Sequence, residues 1–176
     1  MIENNQVINF EDKFLKSSLI LSSPHSGVYY PDNFFSFLKA DISELKQIED
    51  SLVDELIFGN LEKNNLILKA VWSRSVVDVN RAMNDFNYND FEPPIKNISP
   101  NPTKYSRSGI GVIPIKCGIG ESIYKLKLSG ELAKKWLDKA WTSYHQTLRE
   151  FLQKAHTNFG HYILFDFHSM PSTSEN

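Results

Sequence analysis

The sequence predicts an α/β layered fold with an at least partly parallel sheet. The prediction rests on apolar runs at 18–22, 65–71 and 162–167, on helical periodicity between them, and on histidines where the first and last runs end.

With 176 residues, 41% hydrophobic and 23% charged, the chain suits one soluble domain, residues 1–176, with a sizeable core. A formal charge of -2 with scattered lysines gives no reason to expect nucleic acid or an anionic membrane as partner. No apolar run approaches the roughly 18 residues of a membrane span, and the polar start lacks the basic and apolar regions of a secretory signal, so a cytoplasmic location is expected. Cys117 is the single cysteine, which excludes an intramolecular disulfide and a metal site built on several thiolates. Any metal must therefore use histidine and carboxylate.

The run at 18–22 stops at Ser23-Pro24, as a buried strand entering a loop would, and His25-Ser26-Gly27 follows at once. Taken alone, His25 is an ordinary loop histidine. Its position at a strand end matters because open α/β sheets collect ligands there. Residues 43–58 have helical spacing, with Leu45, Ile48, Leu52, Val53, Leu56 and Ile57 as an apolar stripe, Ser43 as N-cap and Gly59 as stop. Laid out at about 100° per residue, Glu49 falls at the stripe centre, and Asp50 and Asp54 at its edge.

A second strand is expected over 65–71. In 73–81, Arg74 and Arg81 flank Asp78 and Asn80. Two readings stand side by side: arginine forks holding an anionic substrate, or Asp78 pairing internally with Arg74 or Arg81. Between Met83 and Ser108 periodicity gives way to Asn, Asp and Pro, which predicts a long loop of the kind that often binds or covers a site. Gly109-Ile110-Gly111 and Gly118-Ile119-Gly120 lack the spacing of a phosphate loop and read as turns beside a short strand over 111–115. Ser129 caps the clearest helix, whose apolar face includes Trp136, Leu137, Trp141, Tyr144, Phe151 and Ala155 until Phe159-Gly160 ends it. Tyr144 sits at the stripe centre and His145 at its edge.

The last run has the character of a buried parallel strand. Strand alternation puts Tyr162, Leu164, Asp166 and His168 on one face. An ionised Asp166 is costly there without a partner; His168 offers one, and a metal bound by His168 explains it better. Two histidines at strand ends, a helix carboxylate and a set of arginines together fit a metallohydrolase, since catalytic zinc commonly takes three protein ligands and a water. The compact H-E-x-x-H spacing is absent.

Seven segments occur in the order seen in N-formylglutamate amidohydrolases, and the chain resembles that family from Leu21 to Pro171. They are Ser23-Pro24-His25-Ser26-Gly27; Glu49-Asp50 with Val53-Asp54; Ser73-Arg74 with Val77-Asp78-Val79-Asn80-Arg81; Gly111-Val112-Ile113; Ile123-Tyr124 with Leu128; Tyr144-His145; and Asp166-Phe167-His168-Ser169-Met170-Pro171. The resemblance implies a three-layer α/β/α fold related to zinc carboxypeptidases, with a mixed, partly parallel sheet. It implies zinc-dependent hydrolysis of N-formyl-L-glutamate to formate and glutamate in histidine breakdown. By position it makes His25 and His168 metal ligands, with an acid of the Glu49-Asp50 pair as the third. Distant relatives favour Asp50, whereas the helical layout puts Glu49 deeper. Asp166 would orient a ligand. Asn80 and Arg81 resemble the pair that grips a substrate carboxylate in carboxypeptidase-like enzymes, with Arg74 assisting.

Family members continue beyond the His-Ser-Met-Pro motif to a glutamate expected as general base, which has no counterpart here. The expectation is a C-terminally truncated copy that keeps its zinc ligands and loses efficient hydrolysis, with a separately encoded C-terminal fragment as partner. Two alternatives are a metallohydrolase acting on another N-acyl amino acid, and a non-catalytic remnant that binds a partner through an exposed apolar sheet edge.

Overall fold

The first and last apolar runs lie side by side. In the computed structural model, which describes residues 15–58, 65–117 and 120–170, β1 (Leu19–Ser23) is flanked by β2 (Leu66–Lys69) and β5 (Ile163–Asp166), both parallel to it. Ile20 stands opposite Leu66 on one side and Leu164 on the other. The expectations for Gly59, Gly118, Ile119 and Pro171 lie outside the described residues.

Alternation along the strands builds two faces. Ile20, Leu66 and Leu68 enter the main core, and Leu21 and Ile67 form a small cluster on the opposite face with Leu19 and Phe167. One long helical run covers the first face. It begins as α5 (Gly130–Trp136), widens through a π-helical segment (Leu137–Thr142) and continues as α6 (Ser143–Phe159). Ser129 caps it as predicted, its side chain accepting from the Leu132 amide, and Gly160 closes it at φ 74°, the left-handed conformation that glycine tolerates best. On the other face α3 (Val53–Phe58) is tied to β2 by Lys69 Nζ and Asp54 Oδ2 at 2.9 Å. The result is an α/β architecture with a parallel sheet between helices.

β5 departs from its sequence pattern. It pairs in parallel as expected, yet Ile163, Leu164 and Phe165 are 49%, 40% and 51% exposed. Among the described residues it pairs with β1 alone, so side chains suited to an internal strand stand at the sheet edge.

The single helix expected over 43–58 is two short ones, α2 (Ile42–Lys46) and α3, after a first short helix α1 (Phe34–Phe37). Asp41, not Ser43, precedes α2, and its amide donates to Glu44 Oε2 at 2.8 Å. The break follows from tertiary bonding. The Asp50 amide donates to the His25 carbonyl, and Leu52 takes φ 65°. This reverses the predicted order of depth: Asp50 is buried and Glu49 only partly so.

Residues 111–115 are not a strand. The Val112 amide donates to the Asp85 carbonyl and its own carbonyl accepts from the Asp78 amide, so its backbone bonds go to neighbouring loops. The strands here are β3 (Lys116–Cys117) and β4 (Glu121–Ser122), an antiparallel pair. The 83–108 segment is irregular, as expected, with a 3₁₀ turn at Tyr88–Asp90 and a short helix α4 (Lys104–Arg107). It is not a free cover: Phe86, Phe91 and Ile95 are buried in the core. No helix among the described residues is long and apolar enough to cross a membrane.

Candidate metal centre

Because β1 and β5 run parallel, the residues just past their C-terminal ends emerge at the same edge of the sheet, and His25 and His168 meet there. His25 Nδ1 and His168 Nδ1 are 3.1 Å apart; Asp50 Oδ2 is 3.3 Å from the first and 3.1 Å from the second. Gly27 allows the turn that seats His25, since a Cβ there would collide with the Trp72 carbonyl oxygen.

Each imidazole is held from behind. His25 Nε2 lies 2.8 Å from Asp78 Oδ1, and His168 Nε2 lies 3.3 Å from Asp166 Oδ2, whose Oδ1 accepts from the Ser22 hydroxyl at 2.6 Å. A carboxylate facing Nε2 keeps the proton on that nitrogen and leaves Nδ1 as a lone pair. Two such lone pairs and the Asp50 carboxylate then converge, and a cation between them satisfies all three. The three separations match the edge of a ligand tetrahedron around zinc, about 3.3 Å for bonds of 2.0–2.1 Å. The residues present fit such an ion.

The two buried acids dominate the charge of this assembly. Burial alone would lower the His25 pKa, but hydrogen bonds to Asp50 and Asp78 outweigh it and raise the value. Burial would raise Asp50 and Asp78; hydrogen bonding and charge from His25, followed by other partners including Arg74, hold both down at about 2. Both acids are therefore ionised at neutral pH.

Asp78 is the functional residue that sequence reasoning weighed only as an arginine partner. It is both: Oδ1 faces His25 and accepts from the Asn80 amide at 3.0 Å, while Oδ2 accepts from Arg74 at 2.8 Å, with Arg81 Nε 3.7 Å away. The signal was an acid inside the apolar run Val76, Val77, Val79, where burial demands partners. Glu49 is directed elsewhere, accepting from the Tyr30 hydroxyl at 2.6 Å and from the Ser73 hydroxyl. The side chain brought to both histidines is that of Asp50.

The arginines sit beside the centre. Arg74 is engaged by Asp78 and comes within 3.9 Å of Asp50. The Arg81 guanidinium lies 3.7 Å over the Tyr105 ring, and Asn80 Nδ2 lies 3.3 Å from His168 Nε2. A cleft of about 350 Å³ opens beside Arg74, with Glu49, Asp50, Asp78 and Ile110 also in its wall. Asp50 belongs both to the histidine cluster and to the cleft wall, and with Arg74 in that wall the arrangement suits hydrolysis of an anionic substrate.

Comparison with known proteins gives a family and relatives. Residues 17–176 match the model of the family described as N-formylglutamate amidohydrolase. An N-formylglutamate deformylase of Pseudomonas putida is 28% identical over 158 residues, covering 88% of this chain and 52% of the relative. One from Pseudomonas aeruginosa is 32% identical over 156 residues with the same coverage. The crystal structure of N-formylglutamate amidohydrolase from Ralstonia eutropha JMP134 superposes with a TM-score of 0.84 at 27% identity, over 92% of this chain and 57% of that one. The chain thus spans about half the length of the curated relatives it matches.

Proposed function

The chain belongs to the N-formylglutamate amidohydrolase family, and from that premise we propose that His25, Asp50 and His168 hold a zinc ion beside a cleft that takes N-formyl-L-glutamate for hydrolysis to formate and glutamate. The convergence of two imidazole Nδ1 atoms and one carboxylate oxygen supports this most directly. Zinc bound there would supply Lewis acidity toward water and toward the formyl carbonyl.

The chain's own residues bind and orient. Asp78 and Asp166 hold His25 and His168 in the tautomer that presents Nδ1. Arg74, Asn80 and Arg81 offer donors to the substrate carboxylates. Glu49 is the one glutamate among the described residues that lines the cleft, and one of its oxygens is occupied by Tyr30 and Ser73. Titration with zinc, followed by a formate-release assay on N-formylglutamate and on other N-acyl amino acids, tests the proposal. One zinc per chain, lost in His168→Ala, with N-formylglutamate preferred by the cleft supports it; absence of zinc binding at neutral pH refutes it.

The exposed row Ile163, Leu164 and Phe165 favours a second component, a polypeptide partner that adds a strand to β5. Its chemistry is that of an extended apolar segment. Mixing the chain with the unmatched half of the Pseudomonas aeruginosa relative tests this. Slowed amide exchange in β5 supports it, and absence of a complex counts against it.

A further inference from the structure

The segment that carries Asn80 and Arg81 has no regular secondary structure, yet two of its carbonyls are gripped by one helical face. Trp141 Nε1 donates to the Arg81 carbonyl at 2.8 Å, and His145 Nε2 donates to the Val79 carbonyl at 2.8 Å. The two rings pack together, tilted by 32° with centroids 3.9 Å apart, so each restrains the other. Trp141 lies in the π-helical segment and His145 in the first turn of α6. Between them Tyr144 turns to the sheet, where its hydroxyl meets Ser22 Oγ at 2.5 Å, and Ser22 in turn holds Asp166.

We infer that Trp141 and His145 form a positioning clip, setting the backbone of residues 79–81 so that Asn80 and Arg81 face the substrate carboxylate. This rests on the reading that Arg81 takes that carboxylate. The clip acts through carbonyls on either side of Asn80, so it fixes the peptide planes from which both side chains project. Widening of the helix at the π segment is the local device. Such insertions shift the register of side chains and frequently occur at functional sites. With the Arg81 backbone held by Trp141 and its guanidinium carbon over the Tyr105 ring, the side chain is restrained at both ends. Preorganised donors lose less freedom when an anion binds.

The test uses glutarate, a dicarboxylate without the formyl group, titrated into the zinc-loaded chain. The double variant Trp141→Phe with His145→Leu removes both N–H donors while keeping apolar bulk. It is expected to bind glutarate about tenfold more weakly, the effect of losing one or two hydrogen bonds, with zinc affinity unchanged. Amide exchange at Asn80 and Arg81 should speed up, and His145→Gln, which retains a donor, should stay near the parent. Unchanged glutarate affinity and unchanged exchange in the double variant overturn the clip. Should the double variant not fold, Trp141→Phe alone carries the same readouts. If Arg81→Ala leaves glutarate binding intact, the carboxylate reading has failed and the exchange rates alone decide: faster exchange upholds the clip and unchanged exchange overturns it.

Discussion

His25 Nε2 is 2.8 Å from Asp78 Oδ1, and this contact turns the opposite nitrogen of the ring toward Asp50 and His168. A buried acid from an irregular segment thus sets the tautomer and tilt of a histidine 53 positions earlier in the chain.

That relationship predicts a metal phenotype for a residue that is not a ligand. Asp78→Asn keeps the shape of the side chain but removes its charge. Zinc affinity should fall roughly 10- to 100-fold, the effect typical of losing a carboxylate behind a metal-bound histidine. Competition against a chromophoric chelator measures it. Unchanged affinity would show that His25 is oriented by its backbone alone.

Glu49 and Asp50 are adjacent in sequence but have separate partners, so their variants should separate cleanly. Asp50→Asn should abolish tight zinc binding. Glu49→Gln should leave zinc affinity within a few-fold and instead cost about 1 kcal/mol of stability through the weakened contacts with Tyr30 and Ser73. Paired zinc titrations and denaturant melts distinguish them, and the reverse pattern would reassign the third ligand.

Leu52 sits at φ 65° with its side chain 59% exposed, in the turn that follows Asp50. A β-carbon in that conformation costs about 1–2 kcal/mol, while little packing is lost on its removal. Leu52→Gly should therefore stabilise the fold, by about 1 kcal/mol after the entropy of glycine is offset. Urea unfolding gives the number. A destabilised variant would mean that Leu52 packs more closely than its exposure indicates.

Asp85 staples the 83–108 segment, its two oxygens accepting from the amide and hydroxyl of Thr103 at 2.8 and 2.9 Å. Burial would raise its pKa, but hydrogen bonds from Ser106 and Thr103 outweigh this and lower it. A depressed acid contributes fully above its unfolded value of about 3.9 and loses that contribution as pH falls through the folded value. The staple should hold unchanged between pH 5 and 8 and release in stronger acid. Amide exchange at Thr103, corrected for intrinsic pH dependence, should show that onset in the parent. Asp85→Asn should bring faster exchange at every pH, and an onset near neutrality would contradict this account.

Much of the frame was legible because it rests on local pattern. The runs that became β1 and β2, the stripe from Leu132 to Ala155 and its ends at Ser129 and Gly160 all follow from side-chain periodicity and from capping chemistry that acts within a turn. The break between α2 and α3 was not legible. The apolar stripe through Leu45, Ile48, Val53 and Leu56 is consistent with one helix, which the bond from the Asp50 amide to the His25 carbonyl and the left-handed Leu52 interrupt. Residues 111–115 failed as a strand for the same reason, their backbone groups being used by loops distant in sequence.

The sequence by itself determined which residue types could hold a metal, two strand-end histidines and a small set of acids, since a single cysteine left no other donors. It also determined the parallel α/β frame and the family resemblance. Only the tertiary structure decided that Asp50 rather than Glu49 meets the histidines, that Asp78 stands behind His25, and that β5 pairs with β1 alone among the described residues. Those outcomes depend on contacts across separations such as the 143 positions between His25 and His168. Periodicity acts over a few residues and fixes which face a side chain occupies; the partner it finds on that face is set by how distant segments pack.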